Sequence, residues 1–121
     1  MVYASESRAL ATTEYLVHVA MALVPEDLSM ATIHIPDFVS SETIEPAALP
    51  SNWRAYPAPK ELADLGSRWV RENRSLILRV PSVVVQGDFN LLINPAHPEN
   101  RHVKIHSIAV YELDKRLLRV H

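Results

Sequence analysis

The chain has no cysteine in its 121 residues and only two glycines. Without cysteine there can be no disulfide, no thiolate nucleophile and no zinc site built on sulfur. That fits a reducing compartment, and the expected location is the cytoplasm. Gly66 and Gly87 alone cannot furnish a P-loop or a dinucleotide-binding turn, which need several glycines close together. A nucleotide bound by this chain must be held by side chains in another geometry. Excess positive charge is also missing: 12 Lys and Arg face 14 Asp and Glu, for a net charge of −2. No basic stripe exists to follow a phosphate backbone, so direct binding to nucleic acid is not expected. Long apolar runs are absent too. A membrane helix needs about 20 apolar residues, and the longest apolar-rich stretch, Tyr15 to Val24, is interrupted by His18. The first residues, Met1 to Ser7, lack the basic region and apolar block of a secretion signal.

What is present is an apolar fraction of 48%, with nine prolines. That composition belongs to a globular protein, and the length argues for one domain over residues 1–121. Val2 to Ala4 reads as the tail of a strand. Ser5 or Ser7 can cap a helix running to about Leu23, before Pro25. Met30 to Pro36 alternates as a strand, and Thr43-Ile44 suggests another short one. Leu49 to Pro59 is a proline-rich loop carrying Trp53 and Tyr56. Lys60 to Asn73 reads as a helix or a pair of turns broken near Gly66. Ser75 to Pro81 is the clearest strand, with Leu76, Leu78 and Val80 facing one way and Ile77 and Arg79 the other. A Gln86-Gly87-Asp88 turn leads to a short strand at Leu91–Ile93, and His102 to Asp114 reads as one or two more. A few helices among many short strands predict an α+β domain, not a doubly wound parallel sheet.

Several polar residues fall where apolar ones are expected. Glu14 stands in the apolar stripe of the first helix, at i+4 from Leu10 and i−3 from Val17. Burying a carboxylate costs free energy unless a cation or donors compensate. Glu14 therefore either faces a pocket or pairs with His18 at i+4. Arg79 interrupts an apolar strand and requires an anion, which could be Glu14 or a ligand's diphosphate, unless it reaches water from an edge. Ser82 follows Pro81 at a strand end, where its hydroxyl either points into a cleft or simply forms a turn. Asn90 and Asn94 are expected to hold their loop through backbone groups. His102 and His106 are four apart, which on a strand separates them by about 13 Å, so no shared metal is expected. Arg68 and Glu72 form an expected surface pair at i,i+4.

Taken in order, several segments resemble the RES domain family. They are Val2-Tyr3-Ala4-Ser5, Leu10-Ala11-Thr12-Thr13-Glu14-Tyr15-Leu16-Val17-His18, Leu49-Pro50-Ser51-Asn52-Trp53, Leu65-Gly66-Ser67-Arg68-Trp69, Leu78-Arg79-Val80-Pro81-Ser82 and Asn90-Leu91-Leu92-Ile93-Asn94-Pro95-Ala96-His97-Pro98. Asp114-Lys115-Arg116-Leu117 also resembles the family's ending. The resemblance implies a toxin of a bacterial toxin–antitoxin pair, with a fold like that of ADP-ribosyltransferases. It implies cleavage of the nicotinamide–ribose bond of NAD, by hydrolysis or phosphorolysis. NAD is then a substrate, and no further cofactor is expected. The implied partner is an Xre-type antitoxin with a helix-turn-helix domain.

By the same resemblance, Glu14 and Ser82 match the catalytic glutamate and serine. Tyr3 matches a tyrosine that packs against the nicotinamide end, and Arg79 and Asn90 join it as substrate-binding candidates. The family's arginine lies before that tyrosine, on the opening strands. Only two residues precede Tyr3 here, and Arg8 lies on its far side in sequence. The resemblance therefore implies a domain lacking its N-terminal strands. The alternative is a RES-like module that binds a partner without turnover. An uncovered sheet edge would favour association, as a homo-oligomer or with a partner.

Overall fold

Apolar alternation and one crossover helix set the architecture. The computed structural model describes residues 1–19 and 24–118. Its strands are β1 (Val2–Ser5), β2 (Ser29–His34), β3 (Ser41–Thr43), β4 (Ile77–Pro81), β5 (Phe89–Ile93) and β6 (Lys104–Val110). Its two α-helices are α1 (Arg8–His18) and α2 (Lys60–Glu72). Four strands form one mixed sheet in the order β1-β5-β4-β3, and β2 pairs with β6 in a separate antiparallel ribbon. β1–β5 and β5–β4 are antiparallel; β3–β4 is parallel. A parallel pair needs a long crossover, and the segment between β3 and β4 carries α2. The expected α+β domain of short mixed strands is what forms.

Ser7 caps α1, its side chain accepting the N–H of Leu10 at 3.1 Å. The helix is shorter than expected. It stops at His18, where Val19 is extended at φ −115° and ψ 128° while its N–H still reaches the Tyr15 carbonyl. A β-branched residue gives up little in taking that conformation. The remainder of the expected helix, residues 20–23, lies outside the described residues.

α2 corrects a second expectation, because it runs unbroken through Gly66. Glycine inside a helix costs about 1 kcal/mol relative to alanine. Against that, Leu62, Leu65 and Trp69 fall on one face, and Trp69 is only 1% exposed. Burying an indole contributes about 4–6 kcal/mol by area, so packing outweighs the local preference. Asn73 ends the helix in the left-handed conformation, φ 54°, with its N–H shared between the Trp69 and Val70 carbonyls. Such a stop suits asparagine.

The sheet is covered on both faces. Trp69, Leu78 and Leu92 form one buried cluster with Ile44, Val70 and Val80, between α2 and the sheet. Leu76, Ile77 and Ile93 form the other, with Ile35, Val39, Leu91 and Val103. The expected alternation therefore fails at Leu76, which precedes β4 and joins the opposite cluster from Leu78. From Ile77 onward it holds.

Polar ties close the corners. Ser40 accepts the Leu76 N–H on its hydroxyl and the Ile77 N–H on its carbonyl. Its own hydroxyl and N–H donate to Glu99. These bonds, helped by nearby His97 and His102, hold the Glu99 carboxyl below its ordinary range. Asn94, 1% exposed, holds its loop as expected by accepting the Ala96 N–H, and it also donates to Asn73. The expected Arg68–Glu72 pair is replaced by Arg74–Glu72 at 3.1 Å, the nearer cation after the helix turns away. His102 sits edge-on to Phe38, and His106 is exposed on β6. No helix among the described residues is long and apolar enough to cross a membrane.

Candidate functional site

Strand register gathers the site. Tyr3 lies opposite Leu92 and Ser5 opposite Asn90 across β1–β5; Leu92 and Asn90 lie opposite Leu78 and Val80 across β5–β4. Side chains alternate along a strand, so these residues share one face of the sheet. That face lines a cavity of about 800 Å³, walled on other sides by α1, α2 and the loop before α2.

Glu14 reaches the cavity from α1. Its side chain is 19% exposed, whereas Val17, one turn on, is 58% exposed. The carboxylate is thus buried more deeply than an apolar neighbour on the same helix. Compensation comes from two donors on one oxygen: Ser82 Oγ donates to Oε1 at 2.6 Å and Asn90 Nδ2 at 2.7 Å. The second oxygen, Oε2, lies 3.6 Å from His18 Nε2. Both readings of Glu14 are therefore realised together, since it faces a pocket and also meets His18.

Ser82 is 1% exposed. Its oxygen accepts the N–H groups of Val84 (3.1 Å) and Val85 (2.9 Å), forming the turn after β4. With those acceptors filled, its single proton goes to Glu14. Gly87 completes the return at φ +92°, a conformation side chains disfavour. Asn90 does not bond backbone groups as expected. Its amide bridges side chains, donating to Glu14 and accepting from Ser5 Oγ at 2.7 Å. Tyr3 is 74% exposed at the rim.

Arg79 is not brought to this cluster. Neighbouring Leu78 and Val80 on β4 face the cavity, so Arg79 projects to the opposite face. There it pairs with Glu6, not with Glu14, and lies 4.2 Å from the centre of the Phe89 ring. The Glu6 hydrogen bond raises its pKa above the ordinary value.

The far wall of the cavity was not anticipated. Ile44, Leu49, Trp53, Leu62 and Leu65 make it apolar. Arg54 ties the Trp53 loop to the turn after Ser82, through the Val83 carbonyl at 3.1 Å. No arginine or lysine lines the cavity among the described residues. Ser5 was also missed as a site residue, although it lies two residues beyond Tyr3 on the same strand face.

Comparison with known proteins settles the lineage. Residues 1–116 match the RES domain. The chain belongs to the RES family. Its relatives in that family are named as toxins. Prs ADP-ribosylating toxin of Sphingobium sp. is 40% identical over 121 residues, covering 98% of this chain and 75% of that protein. Toxin Res of Yersinia enterocolitica is 36% identical over 96 residues, 79% of this chain and 62% of the relative. Toxin Res of Pseudomonas putida is 35% identical over 122 residues, 97% of this chain and 79% of the relative.

Proposed function

We propose that this RES-family chain cleaves the nicotinamide–ribose bond of NAD, with Glu14 as the catalytic carboxylate. The observation that carries this reading is the anchoring of Glu14: Oε1 is taken by Ser82 and Asn90, which leaves Oε2 open beside His18 at the cavity. Loss of nicotinamide builds positive charge on the ribose, and a fixed carboxylate stabilises that charge or orients the acceptor. With water, the bond between C1′ and the nicotinamide nitrogen breaks, nicotinamide leaves with the bonding pair, and ADP-ribose and a proton result. Phosphate in place of water gives the phosphorylated sugar. The name of the Sphingobium relative supports the same bond cleavage with a different acceptor. The ADP-ribosyltransferase-like fold belongs to this reading, supported by a small mixed sheet with one face lining the cavity. So do the Xre-type antitoxin as partner, carried by the family resemblance, and self-association, supported by the edge position of β1 in the sheet.

A second reading, a partner-binding module without turnover, is favoured by one observation. Among the described residues no arginine lines the cavity to meet a diphosphate, and Arg79 is engaged elsewhere. Incubating the purified chain with NAD and following nicotinamide release separates the two. The expected result is release by the wild type and a loss of about 100-fold or more in Glu14→Ala. Equal rates in both proteins would refute the assignment, and no release from either would favour the module.

A further inference from the structure

The hydrogen bonds around Glu14 have a direction that can be traced back to β1. An ionised carboxylate only accepts, so the amide meeting Glu14 must present Nδ2. The other end of that amide is then Oδ1, also an acceptor, and Ser5 Oγ lies 2.7 Å from it. Ser5 must therefore donate. Were the amide turned over, its oxygen would face the carboxylate and repel it. Register enforces the contact, because Ser5 stands directly opposite Asn90 in the β1–β5 pair.

We propose that Ser5 is a positioning residue whose hydroxyl sets the Asn90 amide, and through it aims the Glu14 carboxylate. This rests on the reading of Glu14 as the carboxylate that acts on the glycosidic bond. It also gives Asn90 a positioning role in place of the substrate-binding one expected from the sequence. Ser5 has little structural work to do otherwise. It is half-buried beside an open hollow also bounded by Glu14, His18 and Asn90, and the strand pair is already held by its backbone bonds.

Ser5→Ala is expected to lower kcat for nicotinamide release by about 3- to 10-fold, the effect of one hydrogen bond, with KM for NAD held within about twofold. Ser5→Thr keeps the hydroxyl and restores kcat to within about twofold of wild type. Because Ser5 acts through Asn90, adding Ser5→Ala to Asn90→Ala changes kcat by less than about twofold. Equal losses in both backgrounds, or no rescue by threonine, would overturn the proposal. A readout free of turnover is the Asn90 side-chain amide in nitrogen-15 NMR. Ser5→Ala should shift and broaden its two proton resonances, and Ser5→Thr should restore them; unchanged resonances would overturn the proposal. Should the wild type release no nicotinamide, the catalytic reading falls, and these resonances still decide the role of Ser5.

Discussion

Ser82→Ala removes one oxygen that serves three neighbours. Two are the N–H groups of Val84 and Val85, which lose their acceptor in a half-buried turn. At about 0.5–1.5 kcal/mol each, the folded state loses about 1–3 kcal/mol. For a chain of 121 residues, each kcal/mol lowers Tm by about 4 °C, so the expected fall is about 4–12 °C. The third neighbour is Glu14, which keeps Asn90 but loses the 2.6 Å bond from the hydroxyl. A hydrogen bond to a charged group contributes about 1.5–3 kcal/mol, equivalent to about 10- to 100-fold in kcat. Thermal unfolding by circular dichroism and nicotinamide release from NAD measure the two effects on the same preparation. The proton of Ser82 is committed to Glu14 and its lone pairs to the turn, so the hydroxyl is no free nucleophile. A serine-directed fluorophosphonate should therefore leave it unlabelled. An unchanged Tm with activity lost by more than about 10⁴-fold, together with labelling at Ser82, would refute this account and make Ser82 the attacking group.

Arg79→Ala should leave nicotinamide release within about threefold of wild type, because Arg79 projects from the sheet face opposite Glu14; a loss above about 30-fold would place it at the substrate. Gly66→Ala should stabilise the fold by about 0.5–1 kcal/mol in chemical denaturation, since the added methyl meets only the end of Met1 at an ordinary 3.9 Å. Glu99 is held below its ordinary pKa by Ser40, so its contribution is present above the unfolded carboxyl pKa and lost as pH falls through the folded one. Glu99→Gln should accordingly lower Tm at pH 7 and match wild type in strong acid, and a Tm gap that did not narrow on acidification would contradict the role of Ser40.

Much of this site was legible in the residue pattern. Glu14 stood out because a carboxylate occupied an apolar helical stripe, and burial with compensating donors is what the structure supplies. The alternation along β4 already carried the answer on Arg79: it faced away from Leu78 and Val80, and hence away from the cavity those two line. The pull of an unpaired cation toward a carboxylate obscured that, and Glu6, just past β1, is the partner that local reasoning could not reach. The apolar wall at Leu49 and Trp53 was illegible because a proline-rich loop has no period from which to read a face. The continuity of α2 was misjudged for a physical reason as well, since Gly66 signals a break locally while Trp69 decides the matter through burial against Leu78 and Leu92.

The bridge between Ser5 and Asn90 spans 85 residues of sequence, and the Glu14–Ser82 bond spans 68. Neither half of the chain alone holds the carboxylate. During synthesis at roughly 5–20 residues per second, β1 and α1 wait about 4–17 s before the strand carrying Asn90 is made. Through nearly all of that interval Glu14 has neither donor, since Ser82 is made only eight residues before Asn90. On the proposed role of Glu14, the chain cannot act until β5, about three quarters of the way along it, has been translated, and an aborted product ending before β5 never gains an anchored carboxylate.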